Sequence, residues 1–401
     1  MASVTKRQKR GELEAIRGLA ALSVIGGHFF GCFAAVSTLS GVPAKLYLAL
    51  TNGTAAVVVF FVLSGVVLPL SFFRSGGDPN TIAVAALNRF PRLFLLVFLT
   101  VMGSYIVTKL GWNYSRAASE ISGSSWFGIY GAPPDNENFQ PTFANALWQA
   151  SFGTILENRS EFNVSLWTMH HEFYGSFVVF ALAMVFFKAP MRIVAVISVL
   201  SVVALQFTAW RLVPFVAGTA LSAFFFRNPN FAFRLPASIS LTGAGVILYS
   251  YKSEYSPYWP TSFFSWGTED QKAWLIFTVA GTLIILGVVG NERIREAMNA
   301  RWLVALGRYS FAMYAVHMLL MSSIVSLAYV SVAPFGKVVA LVAATLVFFL
   351  VMATASYALT RLDEWWTKRT QSSARRLLGL KQRAESSVAE RTDASAGKLL
   401  A

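Results

Sequence analysis

Charge is what this sequence has least of. Asp, Glu, Lys and Arg make up only 13% of its 401 residues, about half the roughly 25% of a soluble domain, so water is not the chain's main solvent. Cysteine is nearly absent. The single Cys32 excludes an intrachain disulfide, and no set of Cys and His has metal-ligand spacing, so no metal is expected. Acidic residues are outnumbered 19 to 33 by basic ones, giving a net charge of +14. That excess does not read as a nucleic-acid surface, because the basic residues cluster between apolar blocks, with nine of them from Arg361 onward. They report topology and headgroup contacts instead. No internal repeat is evident, and no cleavage site follows the first apolar run, so that run is expected to be a retained helix.

What the chain has in quantity is apolar sequence, 55% of all residues. It comes in blocks of roughly 17 to 25, the length that crosses a hydrocarbon core of about 30 Å as a helix. Strands of a barrel would alternate, and these runs do not. The expected fold is all-α, a polytopic transmembrane helix bundle of about ten spans. The spans are placed at 13–33, 54–73, 93–109, 165–187, 191–209, 212–226, 235–250, 273–290, 306–330 and 337–359. The sixth and seventh are short for the bilayer.

With the N-terminus in the cytoplasm, only Lys45, Lys109, Arg116, Arg159, Arg211, Lys252, Lys272 and Lys337 fall outside, which leaves 25 of the 33 basic residues inside. The positive-inside rule therefore favours an even number of spans and two cytoplasmic termini. Three regions follow: a basic N-terminus (1–12), a membrane domain (13–360) and a basic cytoplasmic tail (361–401) that is polar from about Gln371. The long outer segments, 110–164 and 251–272, are rich in Trp, Tyr, Asn and Pro, as a surface that binds something outside would be. Acceptor motifs for N-glycosylation at Asn52, Asn113, Asn158 and Asn163 all fall outside and are read as coincidence.

An ionisable group inside a span costs about 2.5–3.5 kcal/mol at the helix centre, so each one is a functional candidate. Arg17 and His28 share the first span. Eleven residues at 100° each bring them to one face, roughly 16 Å apart along the axis. Glu172 is the carboxylate placed well inside a span. Counting residues from the expected span ends sets Glu172 nearly level with His28, where a carboxylate can orient an imidazole and raise its basicity. Plainer readings stand beside these. Arg17 alone can snorkel to headgroups, and His28 or His317 alone can be a hydrogen-bonded bundle residue. His170 and His171 read as interfacial packing, and Trp112, Trp126, Tyr130, Trp148 and Trp167 as an interface belt.

Five segments in order resemble acyltransferase family 3, membrane proteins that acylate extracytoplasmic acceptors. They are the Arg17–His28 pattern with its ten intervening residues, Val59-Phe60-Phe61-Val62-Leu63-Ser64-Gly65, Asn88-Arg89-Phe90-Pro91-Arg92-Leu93, Leu166-Trp167-Thr168 through Glu172-Phe173-Tyr174, and Leu306-Gly307-Arg308 through Tyr314-Ala315-Val316-His317. Many relatives have two adjacent acidic residues where this chain has His171-Glu172. The resemblance implies an O-acyltransferase that uses cytoplasmic acyl-CoA, acetyl-CoA above all, and a glycan hydroxyl such as that of an exopolysaccharide or lipopolysaccharide sugar. Arg17, Arg89, Arg92 and Arg308 all lie near the expected cytoplasmic ends of spans, and are the expected contacts of the coenzyme phosphates. His28 would then be either general base or acyl-carrying nucleophile, supported by Glu172. Ser64, Trp167, Tyr314 and His317 are the expected oxyanion or acceptor contacts. A bacterial inner membrane is the expected location. The competing expectation is a proton-coupled transporter or flippase of a glycan or lipid-linked sugar, with His28, Glu172 and His317 as relay, although no inverted repeat supports it. The sequence leaves the oligomeric state open.

Overall fold

The structure, a computed structural model, describes residues 10–34, 41–251 and 267–380. Most of the basic N-terminus, part of the second outer segment and the tail beyond Leu380 lie outside the described residues. Among the described residues there is no strand. In chain order the helices are α1 (Gly11–Phe33), α2 (Gly41–Thr51), α3 (Gly53–Val67), α4 (Leu70–Arg74), α5 (Pro79–Leu87) and α6 (Arg89–Lys109). The first outer segment carries α7 (Ser115–Ser122), α8 (Ser125–Tyr130), α9 (Phe143–Trp148) and α10 (Thr154–Leu156). Then come α11 (Trp167–Lys188), α12 (Met191–Thr208), α13 (Val213–Arg227), α14 (Leu235–Tyr249) and α15 (Glu269–Val289). The last are α16 (Glu292–Met298), α17 (Arg301–Leu320), α18 (Ser326–Val332) and α19 (Lys337–Leu377).

Every expected span is helical, and among the described residues eight helical stretches are long and apolar enough to cross a membrane. The other two expected spans are α13 and α14, of 15 residues each. At 1.5 Å per residue each rises about 22 Å, short of a core of about 30 Å. The third span begins earlier than expected, because α5 and α6 form one apolar stretch from Pro79 to Lys109. The last helix runs on from the expected end at 359 to Leu377, where Trp366 donates its indole N–H to the Pro91 carbonyl at 2.6 Å and ties the extension to α6.

Local chemistry sets several helix ends. The Asp78 side chain accepts from the Asn80 N–H in front of Pro79, and Thr268 with Gln271 forms a capping box at the start of α15. Asn52 caps α3 through Ala55 N–H and donates to the Tyr249 carbonyl at 2.9 Å, which joins the start of α3 to the end of α14. Asn52 is thus a buried structural residue.

Two ends of the bundle can be told apart. Arg10 lies over the Phe225 ring at 5.8 Å, and Arg227 donates to the Ala189 carbonyl at 2.7 Å. The start of α1, the end of α11 and the end of α13 therefore share one end, called here the basic end. The parallel helices α1 and α17 both leave from it and pack through glycines. A Cβ on Gly18 would lie 2.7 Å from the Gly307 nitrogen, so only glycine permits this approach. Ten residues beyond each of these glycines stands a histidine, His28 on α1 and His317 on α17.

Candidate active site

The equal run from the Gly18–Gly307 crossing, about 15 Å of helix on each side, carries the two imidazoles to the same level. His28 Nδ1 and His317 Nε2 are 2.8 Å apart. His317, fully buried, also places Nδ1 2.7 Å from the Tyr314 carbonyl oxygen. A carbonyl only accepts, so His317 Nδ1 carries the proton and its Nε2 offers a lone pair. His28 Nδ1–H must then be the donor, which leaves Nε2 of His28 with its lone pair free. Trp126 of α8 stacks beside His28, with ring centroids 5.1 Å apart and planes 17° from parallel. The α8 helix is held there by Ser124, which donates to the Gly31 carbonyl at 2.6 Å and caps α8 at Phe127 N–H.

The expected pairing of His28 with Glu172 is not formed. Glu172 accepts from the Ser64 hydroxyl at 2.7 Å and forms an ion pair with Arg89. The reason is depth. The segment before α11 dips into the bundle: Asn163 donates to the Ala315 carbonyl at 2.9 Å, and the Tyr314 hydroxyl donates to the Ser165 carbonyl at 2.7 Å. Thr168 lies 3.0 Å from the same Tyr314 hydroxyl, so α11 starts level with the middle of α17 rather than at its outer end. From that level Glu172 lies four residues toward the basic end and His317 three residues away from it. The two are therefore separated by about 10 Å along the axis.

Arg89 is correspondingly not at the basic rim. Its side chain is 7% exposed, and its guanidinium is engaged by the carboxylate of Glu172, itself 16% exposed. Ser64 is spent on Glu172, and the hydroxyl of Tyr314 on Ser165, so neither side-chain oxygen bonds to the histidine pair. Tyr314 reaches the pair through its backbone carbonyl instead. Trp167 stands elsewhere, 5.5 Å from the His171 ring and 6.1 Å from the Trp274 ring.

The other expected arginines stay near the basic end, each beside a carboxylate. Arg17 is 3.1 Å from Glu14 on its own helix. Arg308 makes a two-pronged pair with Glu364 of α19 at 2.6 and 2.7 Å, half exposed. Arg92 is 3.4 Å from the Thr367 hydroxyl and lies within electrostatic range of Asp363, Arg89 and Arg17. Nearby, Asp363 Oδ1, Asn88 Oδ1 and Arg89 Nε are buried without a hydrogen-bond partner. The structure therefore brings together a histidine pair, a buried Ser64–Glu172–Arg89 group closer to the basic end, and an arginine rim beyond it. The reading from sequence missed Trp126 as a neighbour of His28, and it missed the carboxylates that hold the rim.

A family model described as an acyltransferase domain, that of acyltransferase family 3, matches residues 10–359. No curated protein and no solved structure matches the chain.

Proposed function

The chain belongs to acyltransferase family 3 and is a multi-pass membrane acyltransferase, and from that premise we propose that it moves an acetyl group from acetyl-CoA, met at the basic end, to a glycan hydroxyl met at the other. The observation that carries this reading is the free Nε2 of His28, whose opposite nitrogen is committed to His317. The acceptor hydroxyl gives its proton to Nε2 while its oxygen bonds to the thioester carbonyl carbon. The C–S bond then breaks, and the sulfur of the coenzyme leaves with the proton carried by the imidazolium. Positive charge that builds on His28 is shared along the Nδ1–H to His317 bond, which ends on the Tyr314 carbonyl. His317 is thus a positioning residue, the part that the sequence had given to Glu172.

Arg17, Arg92 and Arg308 are the groups proposed to meet the coenzyme phosphates, because guanidinium binds phosphate by charge-assisted, two-pronged hydrogen bonds. Their exchange of carboxylate partners for phosphate would open the rim. The surrounding membrane is proposed to be a bacterial inner membrane, and the acceptor an exopolysaccharide or lipopolysaccharide sugar. The test is incubation of the purified chain in detergent with [14C]acetyl-CoA and candidate glycans. Label should pass to the glycan as an ester, with free coenzyme released. A thioester left intact in the presence of every candidate glycan would overturn the proposal.

A further inference from the structure

At the end of the bundle away from the arginine rim, α11 and the turn between α12 and α13 border an open cleft of about 370 Å³, lined by His170, His171, Tyr174, Trp210 and Arg211 among others. Its size lies within the roughly 300–1,000 Å³ typical of small-molecule sites. It is separate from the histidine pair: Phe60 and Phe61 of α3 stand between, one ring 6.1 Å from Tyr314 and the other 6.4 Å from His171.

Arg211 is clamped by aromatic faces, 4.5 Å from the Trp210 centroid and 5.6 Å from that of Trp167. Its Nε is buried without a hydrogen-bond partner. His171 directs Nδ1 to the Trp167 carbonyl at 3.1 Å, which leaves its Nε2 as a lone-pair acceptor. Among the described residues, no carboxylate lines the space. Asp270 acts on Arg211 electrostatically but makes no ion pair with it. Buried donors are ordinarily satisfied, so a fixed cation with a spare donor marks a place for an anion. Among the described residues the lining holds one guanidinium and no second Lys or Arg, which matches the single charge of a carboxylate better than a phosphate dianion. The aromatic rings beside it offer flat apolar faces of the kind a sugar ring packs on.

We propose that this cleft binds a carboxylate-bearing sugar of the acceptor glycan, with Arg211 taking the carboxylate and Trp210 and Tyr174 flanking the ring. The role of the sugar as acceptor rests on the reading of the chain as a glycan acyltransferase; its binding does not.

The full-length protein in phosphatidylcholine nanodiscs is titrated with tri-galacturonate and, separately, with the neutral trisaccharide maltotriose, followed by tryptophan fluorescence. Tri-galacturonate should bind at least tenfold more tightly than maltotriose, with tenfold or greater loss in Arg211→Gln. Arg211→Lys, which keeps the charge but not the planar fork, should fall between. Equal affinity for the two trisaccharides in the wild type overturns the proposal without reference to any variant. A response to phosphatidylglycerol in the bilayer, absent for tri-galacturonate, would make this a lipid-headgroup site and overturns it too. Acyl transfer measured in the same samples separates the two readings. Binding without transfer to any saccharide removes the acyltransferase reading of the acceptor, whereas transfer without tri-galacturonate binding removes the site.

Discussion

His28 and His317, 289 residues apart in the chain, share a 2.8 Å hydrogen bond in which His28 Nδ1–H donates to His317 Nε2, because His317 Nδ1 is committed to the Tyr314 carbonyl. The bond exists because two parallel helices cross at Gly18 and Gly307, ten residues before each histidine. It fixes which nitrogen of His28 is free.

The first prediction follows from that bond. Replacing His317 by Phe keeps a ring in the buried site but removes the acceptor, so the His28 tautomer is no longer held. Turnover should fall about 10²–10⁴-fold, the range for positioned proton transfer, with donor KM nearly unchanged. His317→Gln, whose amide oxygen can accept from His28 Nδ1–H, should recover part of the loss. Steady-state kinetics on both variants decide it. Equal turnover in Phe and Gln variants would mean that His317 serves packing alone.

Arg89 and Glu172 should behave as structure rather than as a donor site. Removing one partner of a buried pair strands the other charge, at a cost of about 3–5 kcal/mol. Arg89→Met or Glu172→Leu alone should lower the melting temperature in detergent markedly, and the double variant should lower it by less than the sum of the two. Additive losses would show that the two side chains do not interact. This prediction replaces the dyad expected from sequence, in which Glu172 acted through His28.

The Arg308–Glu364 pair gives a prediction of sign. It is half exposed, so it adds little to stability, but Glu364 occupies the guanidinium edge that a coenzyme phosphate would use. Arg308→Ala should weaken acetyl-CoA binding, about tenfold for the loss of one charge-assisted contact, whereas Glu364→Gln should tighten it. Titration calorimetry with acetyl-CoA reads both. Weaker binding in Glu364→Gln would mean that the carboxylate positions Arg308 rather than competing for it.

The helices are legible in the sequence because apolar runs of membrane-crossing length have few alternative structures. The arginine rim is legible because Arg17, Arg92 and Arg308 stand at span ends. Glu172 is misjudged for a specific reason. Asn163 reads as part of a solvated outer segment and Ser165 as the outer end of a span, yet they satisfy backbone and side-chain groups around Tyr314 and draw the start of α11 inward. A polar residue that serves an intramembrane carbonyl is indistinguishable in sequence from one that serves water. The histidine pair did leave a signal, the matching Gly-to-His run on two helices, which has meaning only once those helices are known to be parallel. Trp126 left none, because an aromatic residue in an outer segment fits an interface belt equally well.

The central claim is that His28 carries the chemistry from its free Nε2, and the direct measurement compares His28→Ala with the wild type, both folded in detergent. Acetyl-CoA affinity and acetyl transfer to the glycan are followed side by side on the same samples. Donor affinity should stay within about twofold, while transfer falls by at least the 10²-fold that positioned acid–base catalysis supplies. Near-normal transfer by a well-folded His28→Ala protein would contradict the account and make His28 a packing residue.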